Sequence, residues 1–190
     1  MSTINDLINT LGPVGRANKY RVSFTYPSGI QGKTDLKSVD VLAKASVAPT
    51  KELGQMELWA QGRKAIIPGD TVYDNAWSVD FYLTEDHQLR YDLIKWTDAC
   101  DNFQKNTHTG DPTQIFSDLR IEQLDSAGNV TAQYTMHNAF PQTIGEVSYG
   151  ADSADTPAEF NVIFAYTDWV TGTGEFSDYE SNPATKNPIA

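Results

Sequence analysis

The chain has 190 residues, of which 39% are hydrophobic, 21% charged and 11% aromatic, and it holds one cysteine. Such a composition suits one globular, β-rich domain and excludes a coiled coil, a collagen-like repeat, an outright disordered chain and any intrachain disulfide. A net charge of −11 argues against a basic nucleic-acid-binding face, since phosphate contacts need clustered Lys and Arg, and no run approaches the ~20 apolar residues of a membrane span.

Residues 1–18 read as a loose arm broken by Gly12, Pro13 and Gly15, without the basic and apolar regions of a secretion signal, so synthesis and assembly in a cytoplasm are expected. Tyr20, Val22, Phe24 and Tyr26 alternate with polar residues, which predicts a half-buried strand. Val39–Val47 reads as a second, less regular strand. Residues 50–62 are mixed, with a short strand at Met56–Trp59, and Arg63–Ile67 reads as a strand closed by Pro68, Gly69 and Asp70. Trp77–Leu83 is a strand with Trp77, Val79, Phe81 and Leu83 inward. One amphipathic helix is predicted over about 84–104, capped by Thr84, with Glu85 and Asp86 in its first turn. Its packing stripe is Leu89, Leu93, Trp96, Cys100 and Phe103.

Further strands follow at Ile115–Leu124 and Val130–His137, joined through the turn residues Asp125–Asn129. Asn138–Gly150 reads as a strand interrupted by Pro141. The longest alternation is Glu159–Trp169, with Phe160, Val162, Phe164 and Tyr166 on one side and bulky Trp169 on the other. Such a strand is expected to be buried within the subunit on one face and partly against a neighbour on the other. Residues 170–190 form a polar tail with too few apolar groups to fix itself, which leaves 19–169 as the folded domain.

Catalysis has little support. His87, His108 and His137 lack the spacing of a zinc site, there is no nucleophile elbow or phosphate loop, and Cys100 lies on the helix's apolar stripe, where a thiol is a small core group. The oxygens of Asp152 and Asp155 lack the pattern of a calcium loop. Neither an enzyme nor a cofactor is expected. Charge is divided unevenly: residues 1–69 carry nine Lys and Arg against five Asp and Glu, residues 70–190 five against twenty. A basic third beside an acidic remainder suits head-to-tail contact between copies.

Several blocks, in order, resemble the tail tube proteins of contractile-tailed bacteriophages: Glu57–Lys64 (ELWAQGRK), Pro68–Asp74 (PGDTVYD), Trp77–Phe81 (WSVDF), Asp86–Arg90 (DHQLR), Asn138–Val147 (NAFPQTIGEV) and Glu159–Trp169 (EFNVIFAYTDW). The resemblance covers roughly residues 16–169. It implies a mainly β fold, a small β-barrel or packed two-sheet sandwich flanked by one amphipathic helix, shared with the tube protein of type VI secretion systems. It also implies rings of six copies that stack into a virion tail tube, with the tail sheath, baseplate and tail terminator proteins as partners, and DNA passing down the lumen without specific binding.

Within that frame the segment Lys44–Lys64, broken by Pro49, Gly54 and Gly62, is expected to be an arm that reaches the next ring. Lys51, Met56, Leu58, Trp59, Arg63 and Lys64 would make the contact, with Asp70, Asp74 and Glu85 as acidic partners there. Two alternatives remain open: a glycan-binding β-sandwich using Trp59 and Trp77, and a related injection tube that delivers effector proteins.

Overall fold

The computed structural model describes residues 4, 6, 14–30, 32–34, 36–102, 105–108, 112–151 and 153–172. Along them run β1 (Tyr20–Phe24), α1 (Leu36–Leu42), β2 (Ala43–Ser46), β3 (Lys51–Ala60), β4 (Arg63–Tyr73), β5 (Ala76–Tyr82), α2 (Gln88–Cys100), β6 (Asp101–Asn102), β7 (Thr107–His108), α3 (Pro112–Ile115), β8 (Ser117–Leu124), β9 (Val130–Ile144), β10 (Glu159–Ala165) and β11 (Asp168–Gly172). The protein is mainly β, and every strand pair among the described residues is antiparallel. Most of the expected N-terminal arm, the tail beyond Gly172 and Phe103 lie outside the described residues.

Two layers share one strand. The first sheet has the order β1-β8-β9-β11, and the second β9-β10-β5-β2. Up to Ala139, β9 pairs with β8; from Phe140 it pairs with β10. Between the two, Asn138 takes a left-handed backbone (φ 53°), a conformation Asn tolerates better than most side chains. The strands read at Val130–His137 and Asn138–Gly150 are therefore one strand with a corner, which ends at Ile144 and not at Gly150. Pro141 does not interrupt it: it sits opposite Phe164 at a register shift. At the far edges, Tyr20 Oη donates to the Ala43 carbonyl (2.9 Å) and the Val22 N–H to Asp40 Oδ1 (3.3 Å). Side chains of β1 and α1, in place of a β-ladder, thus tie the free edges of the two sheets into a nearly closed barrel.

The core lies between the layers. Val22, Phe24, Leu119, Ile121 and Met136 from the first sheet meet Trp77, Val79, Phe81, Phe160, Val162 and Phe164 from the second, and α2 closes the cluster with Leu89, Leu93 and Trp96. Phe164 is central: its ring lies 5.8 Å from Trp77, 6.0 Å from Phe24 and 6.3 Å from Trp96, centroid to centroid. Both buried indoles satisfy their N–H groups on backbone carbonyls, Trp77 on Val47 and Trp96 on Ile115, each at 2.7 Å.

Three further expected elements of the barrel and its helix differ in the structure. Val39–Val47 begins as helix α1 and only then becomes β2. A strand would put Val39 and Val41 on one face; the helix buries Val39 completely and leaves Val41 79% exposed. The strand read at Glu159–Trp169 is two strands, because Tyr166 and Thr167 leave β10 to bond the Asn75 and His137 carbonyls, and Trp169 then pairs in the other sheet. The helix starts at Gln88, not 84. Thr84 does not cap it: its hydroxyl donates to Asp86 Oδ1, which also accepts the Gln88 N–H, and His87 is left-handed (φ 53°). At the other end Asp101 turns extended and pairs with His108.

Asp92, on the inner side of α2, has no exposed surface. Burial raises its pKa, but donors outweigh that and hold the carboxyl below its usual value: the Thr34 N–H and hydroxyl, the Lys33 N–H and the Gln88 amide. Asp92 thereby clamps the 33–34 loop onto the helix. Two outcomes are expected in urea unfolding of the subunit. Phe164→Ala destabilises by about 3–5 kcal/mol, the cost of an aromatic-sized core cavity. Asp92→Asn costs about 2 kcal/mol at pH 7, the scale of hydrogen bonds to a charged group. A depressed folded-state pKa gives stability that is present above the ordinary carboxylate value and lost as pH falls through the folded one. The gap between wild type and Asp92→Asn should therefore shrink below about pH 4.

Candidate assembly site

The segment between β2 and β5 builds one long hairpin. Its turn is the two-residue loop Gln61 (φ 49°) and Gly62 (φ 76°), flanked by the pair Ala60 and Arg63. Two successive left-handed residues make a type I′ turn, whose twist matches that of the flanking strands. The hairpin therefore spans Lys51–Tyr73 and not Lys44–Lys64. Lys44 belongs to β2, where it pairs with Glu159 at 2.5 Å. Nor does Pro68 close a strand: β4 runs through it, with Pro68 opposite Gln55.

Halfway along there is an irregularity. From Leu53 to Gln55, β3 advances two residues while its partner runs from Thr71 to Pro68, so β4 carries one extra residue. Gly54 and Gly69 meet there. A Cβ on Gly69 would stand 2.9 Å from the Gly54 carbonyl carbon and 3.2 Å from Gln55 N, and one on Gly54 would stand 3.0 Å from the Asp70 carbonyl oxygen. All of these atoms are backbone, so nothing can yield. The hairpin's root is fixed by Trp169, whose Nε1 donates to the Thr50 carbonyl (3.0 Å) while its ring meets Tyr73 (6.4 Å) and Tyr134 (5.6 Å) edge-on.

Among the described residues, the hairpin beyond its root has no extensive packing against the rest of its own subunit. Nine of ten residues of β3 and nine of eleven of β4 are exposed. At about 3.3 Å per residue, β4 reaches about 33 Å from root to tip. The register sorts the side chains past the glycine crossing. Met56, Leu58 and Ala60 share one face with Ile67, Ala65 and Arg63. Gln55, Glu57 and Trp59 share the other with Pro68, Ile66 and Lys64. Met56 is 52% exposed, Leu58 53% and Trp59 68%; Leu53, Ile66, Ile67 and Val72 also stand out into solvent. Contiguous apolar surface of this kind is what monomers avoid.

The six residues expected to make the contact thus all lie on this hairpin, but on two faces: Met56, Leu58 and Arg63 on one, Trp59 and Lys64 on the other, with Lys51 at the root. Leu53, Ile66, Ile67 and Val72 join them without having been singled out in the sequence. The signal for Ile66, Ile67 and Val72 was the Gln61–Gly62 dipeptide, which places Arg63–Tyr73 as the returning leg. Lys64 already pairs with Glu57 on its own face, and Arg21 with Asp40 and Glu122. The basic third of the chain is thus partly neutralised within the subunit. Between Lys51 and Tyr73 three basic and three acidic residues cancel. Of the candidate acids, Asp70 stands on the hairpin itself, Asp74 at its root and Glu85 before α2, all exposed. Trp77 is fully buried, which removes it as a sugar-stacking residue.

Of the helix stripe, Leu89, Leu93 and Trp96 are buried and Cys100 is half-buried, its thiol pKa pushed up by burial. A thiol in that setting is a poor nucleophile. Phe160, Val162, Phe164 and Tyr166 face the core. Among the described residues no group of three or more His, Cys, Asp or Glu could hold a metal ion.

The chain and its fold both have relatives among known proteins. The chain is 25% identical over 169 residues to the tail tube protein of Serratia phage KSP90, covering 87% of this chain and 95% of that one. It is 21% identical over 159 residues to the tail tube protein gp19 of Enterobacteria phage T4, covering 83% and 92%. Among solved structures, a chain of the anti-feeding prophage baseplate superposes with a TM-score of 0.62 at 11% identity, covering 92% of this chain and 99% of that one. A chain of the sheath-tube complex of the extracellular contractile injection system PVC superposes with a TM-score of 0.59 at 15% identity, covering 91% and 100%. The phage tail tube protein family matches residues 15–172, from just before β1 to the end of β11, and the chain belongs to that structural family.

Proposed function

We propose that this subunit forms six-membered rings that stack into the inner tube of a virion tail, and that the Lys51–Tyr73 hairpin is the arm joining one ring to the next. The observation that carries this reading is the apolar arm: a two-stranded ribbon with no core of its own is marginal in water, and this one exposes Met56, Leu58, Trp59 and Ile66 together. Burial against another copy removes that cost at about 25 cal/mol per Å² of apolar surface. Asp70, Asp74 and Glu85 are candidate partners there for Lys51 and Arg63, but with the arm's charge balanced, such pairs are secondary to the apolar contact.

The tube serves as a conduit for DNA into the host. The excess acid lies outside the arm, so each ring of six would carry all of its −66 charges, six times the −11 of one chain, on barrel, loops and termini. An acidic lumen repels phosphate and keeps a duplex mobile, within a screening length of roughly 10 Å at 0.1 M salt. The sheath surrounds such a tube, the baseplate and tail terminator cap its ends, and assembly takes place in the host cytoplasm.

Met56→Asp combined with Leu58→Asp should abolish tube growth, seen by negative-stain microscopy, while leaving circular dichroism and melting temperature unchanged, because the arm contributes little to its own subunit's core. Normal tubes from that double variant would rule the reading out, since two carboxylates are not tolerated in a dry contact. Gly69→Ala tests the arm's shape: its Cβ has no room, so the crossing opens and tube yield falls at least tenfold with the barrel's melting temperature intact. Thr71→Ala, next to the crossing and exposed, should assemble normally.

A further inference from the structure

Past the Gly54–Gly69 crossing the arm is a blade of two strands, Gln55–Ala60 and Arg63–Pro68. Its two faces differ in chemistry. One is aliphatic, with Met56, Leu58, Ala60, Ala65 and Ile67, bounded by Arg63 at the tip. The other sets the Trp59 indole and Ile66 beside the Glu57–Lys64 ion pair and Pro68. Both faces are open: Leu58 is 53% exposed on the first, and Ile66 is 59% exposed on the second. Among the described residues, neither strand has a hydrogen-bonding neighbour on its outer edge, since β3 and β4 form a sheet of their own.

The second face carries Gln55 and the Glu57–Lys64 pair, yet it also holds Trp59 68% and Ile66 59% exposed, and large apolar groups left open on both faces give each face a surface to cover. Surfaces that pack on opposite faces of a sheet lie about 10 Å from it on either side, so some 20 Å apart. One neighbouring surface covers one face. Covering both requires either a cleft in a single partner or two partners, and the difference in chemistry between the faces suits two different surfaces. Subunits arranged around a ring present a joint between neighbours to any arm arriving along the axis. We propose that each blade is wedged between two different copies of this chain, the aliphatic face on one and the Trp59–Ile66 face on the other. This rests on the reading of the arm as the inter-ring contact and adds that the contact is three-bodied. Each arm then staples a pair of neighbours together as well as joining two rings.

The test places a photoreactive residue on each face: Leu58→p-benzoylphenylalanine, Ile66→p-benzoylphenylalanine, and the two combined. A trace of fluorescent variant is co-assembled with a large excess of wild-type subunit, the tubes are irradiated, and the labelled products are sized on a denaturing gel. Each single variant should give a two-chain product, and the double variant a three-chain product. Two-chain products only from the double variant, or no adduct from position 66, would overturn the three-bodied contact while leaving the arm as a stacking element. Absence of adducts at both positions in well-formed tubes would overturn the stacking reading with it. If the double variant does not enter tubes, the pair Met56 and Trp59, on the same two faces, takes its place with the same outcomes.

Discussion

Two sheets and a helix have to agree on the position of one ring, that of Phe164. It belongs to β10 in the second sheet, touches Phe24 of the first, and lies against Trp96 of α2 and Trp77 of β5. Aromatic pairs at such separations prefer tilted or edge-on arrangements and hold them with modest extra energy beyond burial. The neighbouring tryptophans are anchored at their polar ends: Trp96 on α3 through Ile115 and Trp77 on the Val47 carbonyl. The same carbonyl lies four residues before Lys51, so the cluster that holds the layers together also fixes where the arm leaves the barrel.

The arm itself obeys a different rule. Its strands meet the barrel core only at the root, through Tyr73, and three local devices hold its shape: a type I′ turn at the tip, two glycines crossing at the middle, and the Trp169 indole at the root. The extra residue in β4 increases twist and bends the ribbon at the crossing, so the apolar blade points in a direction set by backbone packing and not by contact with its own subunit. If the blade is covered by another copy, as proposed, this fixed shape spares the association the cost of ordering it on contact.

The sequence made the barrel strands legible where one face is core and the other solvent, as in Trp77–Leu83 and Glu159–Ala165, and likewise the helix stripe through Leu89, Leu93 and Trp96. It misled where a segment changes partner. Val39–Val47 mixes a helical turn with a two-sided edge strand. The alternation at Glu159–Trp169 continues across the point where the chain changes sheets, because both layers ask for period two. The arm's apolar tip was visible from Met56, Leu58 and Trp59, and the start of its second leg from Arg63–Ile67, but that leg was cut short because Pro68, Gly69 and Asp70 read as a turn. In the structure they form a bulge, and only the register of two paired strands separates the one from the other. The split of the contact residues between two faces has the same origin: it depends on pairing, which no single run of residues reveals.

Strand β9 belongs to both sheets, and the corner at Asn138 joins its two halves without a break in the chain. The arm's root hangs on Trp169 of β11, and β11 is paired along its length with the first half of β9. A push delivered along the arm therefore enters β9 and divides there, one part into the β8 ladder and the other around the corner into β10. β9 is an inner strand of the sheet order, flanked by β8 and β11 in its first half and joined to β10 in its second, so the arm's root is tied to neither sheet by an edge strand alone. In the proposed tube of stacked rings, a load taken up by an arm would thus be shared by both sheets of its subunit from the first strand it reaches.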